Sequence, residues 1–117
     1  MINKAVILGR MAVEPELKST NSGTAVVNFC VAVDRQYQPS GSAEKVVDFI
    51  DCSAYGTTAE FLVRNFRKGQ PIALDGHIET STYAASDGGT RKSFRIKADN
   101  ISFAGDKKQT ETYEEIE

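Results

Sequence analysis

VVDFIDCSAYGTTAEFLVRNFRKGQP, residues 46–71, changes its period halfway along, and that change decides the fold. Up to Tyr55 it alternates as a strand does. Val46, Ile50, Cys52 and Ala54 share one face, and Phe49, Asp51, Ser53 and Tyr55 share the other. Beyond it the apolar positions recur at helical spacing, with Ala59, Leu62, Val63 and Phe66 at i, i+3, i+4 and i+7. Thr57-Thr58-Ala59-Glu60 fits a capping box, in which the Thr57 hydroxyl accepts from a first-turn amide and Glu60 reaches back. Arg67 and Lys68 suit the negative end of a helix dipole, and Gly69 with Pro71 stops the helix. The spacing predicts a strand ending at Tyr55 and one short helix over residues 57–68.

Two further strands precede this stretch. Residues 4–11 form the first, followed by a polar connection that ends in the turn chemistry of Asn21-Ser22-Gly23. In the second, Ala25, Val27, Phe29, Val31 and Val33 oppose Asn28, Cys30, Ala32 and Asp34, and residues 38–43 read as a loop. Two more strands follow the helix. Residues 72–83 set Ile72, Leu74, Gly76 and Ile78 against Asp75, His77, Glu79, Ser81 and Tyr83. A turn at Ser86-Asp87-Gly88-Gly89 leads to residues 91–103, where Phe94, Ile96 and Ala98 oppose Arg91, Arg95 and Lys97. The order is β-β-β-α-β-β, which is that of the OB fold. The expected architecture is mainly β, a five-stranded OB-fold barrel with one α-helix between strands 3 and 4.

A chain of 117 residues suits one core, placed here in residues 1–105. Residues 106–117 carry two lysines against five carboxylates and are expected to form a short, acidic, disordered tail. No apolar run approaches the roughly 18 residues of a membrane span, and no basic leader precedes the first strand, so a cytoplasmic protein without membrane contact is expected. Two cysteines without CxxC spacing and a single histidine favour free thiols over a metal site, and no cofactor is expected. The net charge of −2 argues against a polyanion partner until it is resolved along the chain. Residues 64–97 hold seven basic residues against three acids, a local balance of +4.

Phe49, Tyr55 and Tyr83 fall on the polar faces of their strands. A ring among Asp, Ser and Glu gains burial only if something flat covers it, and a nucleobase does so for about 1–3 kcal/mol. Single strands also need cations for their phosphates. The candidates are Arg10, Arg35, Arg64, Arg67, Lys68, Arg91, Lys92, Arg95 and Lys97. No cluster suited to reading base edges accompanies the rings, so sequence-tolerant binding of single-stranded DNA is the leading expectation. A protein-interaction module using the same face is one alternative. Another is a metal-dependent nuclease built on Asp75, His77 and Glu79, which lacks a confidently placed second carboxylate cluster and is disfavoured.

With these residues in hand, the chain resembles the bacterial and phage single-stranded DNA-binding protein family over about residues 1–105. The resemblance lies in Asn3-Lys4-Ala5-Val6-Ile7-Leu8-Gly9-Arg10 with Glu14-Pro15-Glu16-Leu17, in GTAVVNFCVAVDR at residues 23–35, and in DFIDCSAY at residues 48–55. It continues through Ala59-Glu60, Arg67-Lys68-Gly69, Asp75-Gly76 and residues 80–83. It implies a homotetramer, or in some members a dimer, of OB folds acting in DNA replication, recombination and repair. It also implies base-stacking aromatics at Tyr37, Phe49, Tyr55 and Tyr83. Parity selects three of these independently; Tyr37 rests on the resemblance, because strict alternation from Val33 points it to the core.

This sequence departs from the family pattern in three ways. It has no Trp at the stacking positions, and Asp51, Thr57, Glu79 and Thr82 stand where Lys or Arg is frequent. Its acidic end also lacks the Ile-Pro-Phe tip through which family members recruit replication and repair proteins, so that partnership is not carried over. A phage or mobile-element origin fits this pattern.

Overall fold

A computed structural model describes residues 1–35 and 46–104. The alternation of residues 25–34 becomes a strand, β3 (Ala25–Asp34), that buries Val27, Phe29 and Val31. The next strand, β4 (Val47–Tyr55), runs antiparallel beside it in unbroken register from Val26 opposite Tyr55 to Asp34 opposite Val47. The first strand, β1 (Ala5–Met11), pairs antiparallel with β5 (Pro71–Ala84) from Ala5 opposite Gly76 to Arg10 opposite Pro71. Its last two residues also face β3, Arg10 opposite Ala32 and Met11 opposite Val31. The last strand, β6 (Thr90–Phe103), forms a long hairpin with β5 and touches β4 in parallel at Cys52–Ile96 and Ser53–Lys97. Following these pairings from β1 through β5, β6, β4 and β3 returns to β1, a closed ring of five strands in the OB order.

One strand was not expected. β2 (Lys18–Ser19) adds a two-residue pairing to β3, opposite Val26 and Ala25. It is set by the turn after it, where the Gly23 amide donates to the Thr20 carbonyl and Gly23 has φ 90°. Two residues in a polar segment carry no period to read.

Inside the ring lie Met11, Val27, Phe29, Val31, Cys52, Ala54, Ile72, Leu74, Ile96 and Ala98. The helix α1 (Gly56–Asn65) covers part of this core with Ala59 and Leu62, and the following Phe66 is also fully buried. Phe66 stacks on Phe103 at 5.1 Å, and Phe61 meets both rings edge-on.

The helix corrects three expectations. It spans residues 56–65 instead of 57–68, and the capping box does not form: the cap position is Tyr55, with no side-chain cap bond. Gly56, at φ 63°, makes the turn from strand to helix, so Thr57 already lies beyond the place where a hydroxyl could cap. Arg67 and Lys68 follow the helix rather than occupying its last turn. Arg67 nevertheless reaches back, its Nη1 donating to the carbonyls of Val63 and Phe66 at 2.8 and 2.9 Å. The Gln70 amide donates to the Asn65 carbonyl at 3.1 Å. Side chains from beyond the helix thus satisfy carbonyls that its early end leaves open.

A fourth correction concerns Phe94, expected in the core but 65% exposed. Burial along β5 stops after Gly76, and β6 is exposed up to Arg95. The hairpin therefore projects past the ring, and a side chain on its inward face there has no core to enter. Ile78, 43% exposed, shares this fate. Among the described residues no helix is long and apolar enough to cross a membrane.

Candidate nucleic-acid interface

The pairings place the outward residues of four strands on one continuous face. Asn28 and Cys30 of β3 lie opposite Ser53 and Asp51 of β4. Lys97 of β6 is in register with Ser53 on one side and His77 on the other; beyond it Arg95, Ser93 and Arg91 face Glu79, Ser81 and Tyr83 of β5. Phe49, Tyr55 and Tyr83 all open onto this face, at 67%, 40% and 54% exposure. Strand parity thus places all three correctly on the outside. Tyr37 lies outside the described residues.

Two cations are fixed beside the rings by uncharged partners. Lys97 holds its ammonium 4.9 Å from the centre of the Tyr55 ring. Arg95 donates from Nη1 to Asn28 Oδ1 at 3.1 Å, reaching from β6 across β4 to β3. Ser53, on the outward face by parity and in register with Asn28 and Lys97, is nevertheless only 2% exposed.

The other proposed cations divide. Arg35 makes a bidentate pair with Asp48, both contacts at 3.1 Å, which raises the guanidinium's pKa and holds the carboxyl below its usual range. Arg91 bonds Asp87 at 2.8 Å across the hairpin turn. Arg67 lies 3.7 Å from Glu14, whose other oxygen accepts from the Lys68 amide, so this pair ties the helix exit to the first loop. The side chains of Arg10, Arg64, Lys68 and Lys92 have no ion pair among the described residues. Arg10 is on β1, and Arg64 shares a shallow pocket with Thr57, Phe61 and Asn100.

Asp75, His77 and Glu79 do not converge as a nuclease trio would require. Asp75 accepts from Lys4 at 2.6 Å and from Asn100 at 3.4 Å, which lowers its pKa. His77 instead sits between Glu79, 2.9 Å from Nε2, and Asp99, 3.3 Å from Nδ1; bonding to these carboxylates raises its pKa. Asp99 occupies the irregularity opposite Asp75 and Gly76, where the register shifts by one residue, and no sequence pattern marked it as a partner. Cys52 is buried in the core, which pushes its thiol up to about 12.

The model of the single-strand binding protein family matches residues 2–104. A single-stranded DNA-binding protein of Fusobacterium nucleatum is 40% identical over 114 residues, covering 97% of this chain and 73% of that protein. One from Clostridium tetani is 39% identical over 103 residues, 87% of this chain and 70% of the relative. Another from Clostridium perfringens is 37% identical, with 87% of this chain matching 65% of its length. With a closed ring in the OB order and a family match across nearly the whole described length, the chain belongs to the single-strand binding protein family.

Proposed function

We propose that this chain binds single-stranded DNA without a sequence code, by base stacking on Phe49, Tyr55 and Tyr83 and phosphate contacts to Arg95, Lys97 and Arg91. Tyr37 is a fourth platform by position in the family. The observation that carries this reading is the shared face: three exposed rings stand among cations, two of them held in place by neutral groups that leave their charge unspent. Binding, not catalysis, is the role, and protection of single strands during replication, recombination and repair in the cytoplasm is its setting.

Assembly belongs to the same proposal. The segment Ala5–Leu8 of β1 is bonded to β5 on one side, and among the described residues no strand pairs with its other edge; β3 closes in at Gly9 and pairs at Arg10 and Met11. Val6 and Leu8 are 74% and 64% exposed on that strand. An open edge beside apolar side chains suits pairing with a second copy, and a homotetramer, or a dimer, would multiply modest sites by avidity.

Titration of tyrosine fluorescence with oligo(dT) tests the function. Quenching that weakens with salt is expected, and Phe49→Ala and Tyr83→Ala should each cost about 1–3 kcal/mol of affinity while the fold persists. Unchanged affinity in both variants would shift the rings' role to docking a protein.

A further inference from the structure

Glu79 and Arg95 face each other in register across β5 and β6, on the face that carries the rings. Opposite charges so placed ordinarily pair, because directly opposed side chains on one sheet face start only about 5 Å apart. Here they do not. Arg95 donates to Asn28, and Glu79 Oε2 lies 2.9 Å from His77 Nε2, two positions back along its own strand. The other ring nitrogen, Nδ1, is 3.3 Å from Asp99 Oδ2.

The charges around this imidazole come from three strands. Along β5 it stands between Asp75 and Glu79. From β6 it is faced in register by Lys97, with Arg95 and Asp99 two positions to either side. From the start of β1 comes Lys4, whose ammonium is held by Asp75 at 2.6 Å. Lys97 lies over the Tyr55 ring, so Glu79 and Asp99 are the charged groups that the imidazole bonds. An imidazolium has two N–H donors and serves both carboxylates at once; a neutral imidazole has one, with no charge behind it. Bonding to Glu79, and then to Asp99, raises the His77 pKa above 6.5. The His77 and Glu79 side chains are 33% and 53% exposed, which leaves the carboxylate room to change partner.

Resting on the single-strand reading above, we propose that His77 is a positioning residue for the phosphate contacts: by holding Glu79 it keeps the charge of Arg95 uncancelled. When His77 loses its proton, Glu79 turns to the guanidinium opposite it, which is a permanent cation with a fork of donors. The ring face then offers the phosphates two cations in place of Arg91, Arg95 and Lys97. Affinity for single strands falls, and its salt dependence falls with it. His77 acts through Glu79 and not by touching DNA.

The test is the salt slope of oligo(dT) binding, read by tyrosine quenching at about pH 6 and about pH 8.5, with oligomer mass followed by light scattering. At about −0.7 for each phosphate neutralised, wild-type protein should give a slope of about −2 at the lower pH and about −1.4 at the higher. Raising NaCl from about 50 to 200 mM then costs roughly 15-fold in affinity at the lower pH and roughly 7-fold at the higher. His77→Gln, a neutral donor at both pH values, should give about −1.4 throughout. Glu79→Gln has no charge to set against Arg95 and should give about −2 throughout. The double variant His77→Gln/Glu79→Gln should also return to about −2, because the group through which His77 acts is gone. An unchanged wild-type slope overturns the proposal while the single-strand reading stands. So does a pH-dependent slope that persists in Glu79→Gln, the result that a direct imidazolium–phosphate contact gives. A change of oligomer mass between the two pH values at constant slope would assign the cluster to subunit assembly and overturn it too. Absence of wild-type binding at both pH values would overturn the parent reading.

Discussion

The salt dependence of binding separates a short electrostatic rail from a long one. Counting every candidate cation in the sequence gives nine side chains, but of these the ring face among the described residues carries Arg91, Arg95 and Lys97. For single strands, log K falls against log[salt] with a slope of about −0.7 for each phosphate neutralised. Three contacts give a slope of about −2, and raising NaCl from 50 to 200 mM should weaken binding roughly 15-fold. Nine contacts would give a slope of about −6 and a loss of several thousandfold over the same interval. Isothermal titrations of oligo(dT) by tyrosine quenching over that salt range read the slope directly.

Single substitutions sharpen the result. Arg95→Met and Lys97→Met keep the aliphatic stems and should each bring the slope to about −1.4. Arg91→Met should move it least, since that guanidinium already lies 2.8 Å from Asp87. A wild-type slope near −6, or one unaffected by Arg95→Met, would refute the assignment of phosphate contacts to this face.

Two predictions concern the frame. A Cβ at Gly76 would run into the backbone of Lys97, so Gly76→Ala should destabilise by about 1–3 kcal/mol, read as a lower urea midpoint. His77, the only histidine in the chain, should titrate above 6.5 by imidazole NMR, because the carboxylates of Glu79 and then Asp99 bond its charged form. Because its pKa is raised on folding, this contribution to stability is complete below about pH 6.5 and is lost as pH rises through the folded value. A titration midpoint at or below 6.5 would contradict the two-carboxylate geometry.

Much of the fold was legible because alternation and helical spacing are local. The five long strands, the helix and the outward direction of Phe49, Tyr55 and Tyr83 follow from which face each residue takes. Four features did not follow from alternation or helical spacing. Phe94 and Ile96 share one face of β6, and parity treats them alike, yet one is 65% and the other 7% exposed. The difference is how far the hairpin runs past the ring, a property of strand lengths summed over the whole fold. Ser53 lies on the outward face of β4 but is flanked in register by Asn28 and Lys97 and is 2% exposed. The capping box failed because Gly56 makes the turn before Thr57 is reached. The seam between β4 and β6 depends on two parallel pairings between strands separated by a helix and another strand, which no periodicity announces.

Acidic residues beside the rings weaken the rail less than their number suggests, because the fold gives them other partners. Glu79 is in register with Arg95, and a direct ion pair there would cancel one of the three cations on the ring face. Its carboxylate instead lies 2.9 Å from His77 Nε2, while Arg95 donates to the neutral Asn28. Asp75 is likewise drawn to Lys4, and Asp48 to Arg35. Among the described residues, Asp51 is the carboxylate on this face with no such partner. Three of the carboxylates near the rings are therefore satisfied by other partners, where an exposed charge would repel a phosphate. Net charge does not capture this arrangement; whether each charge is already engaged decides what it can offer to a nucleic acid.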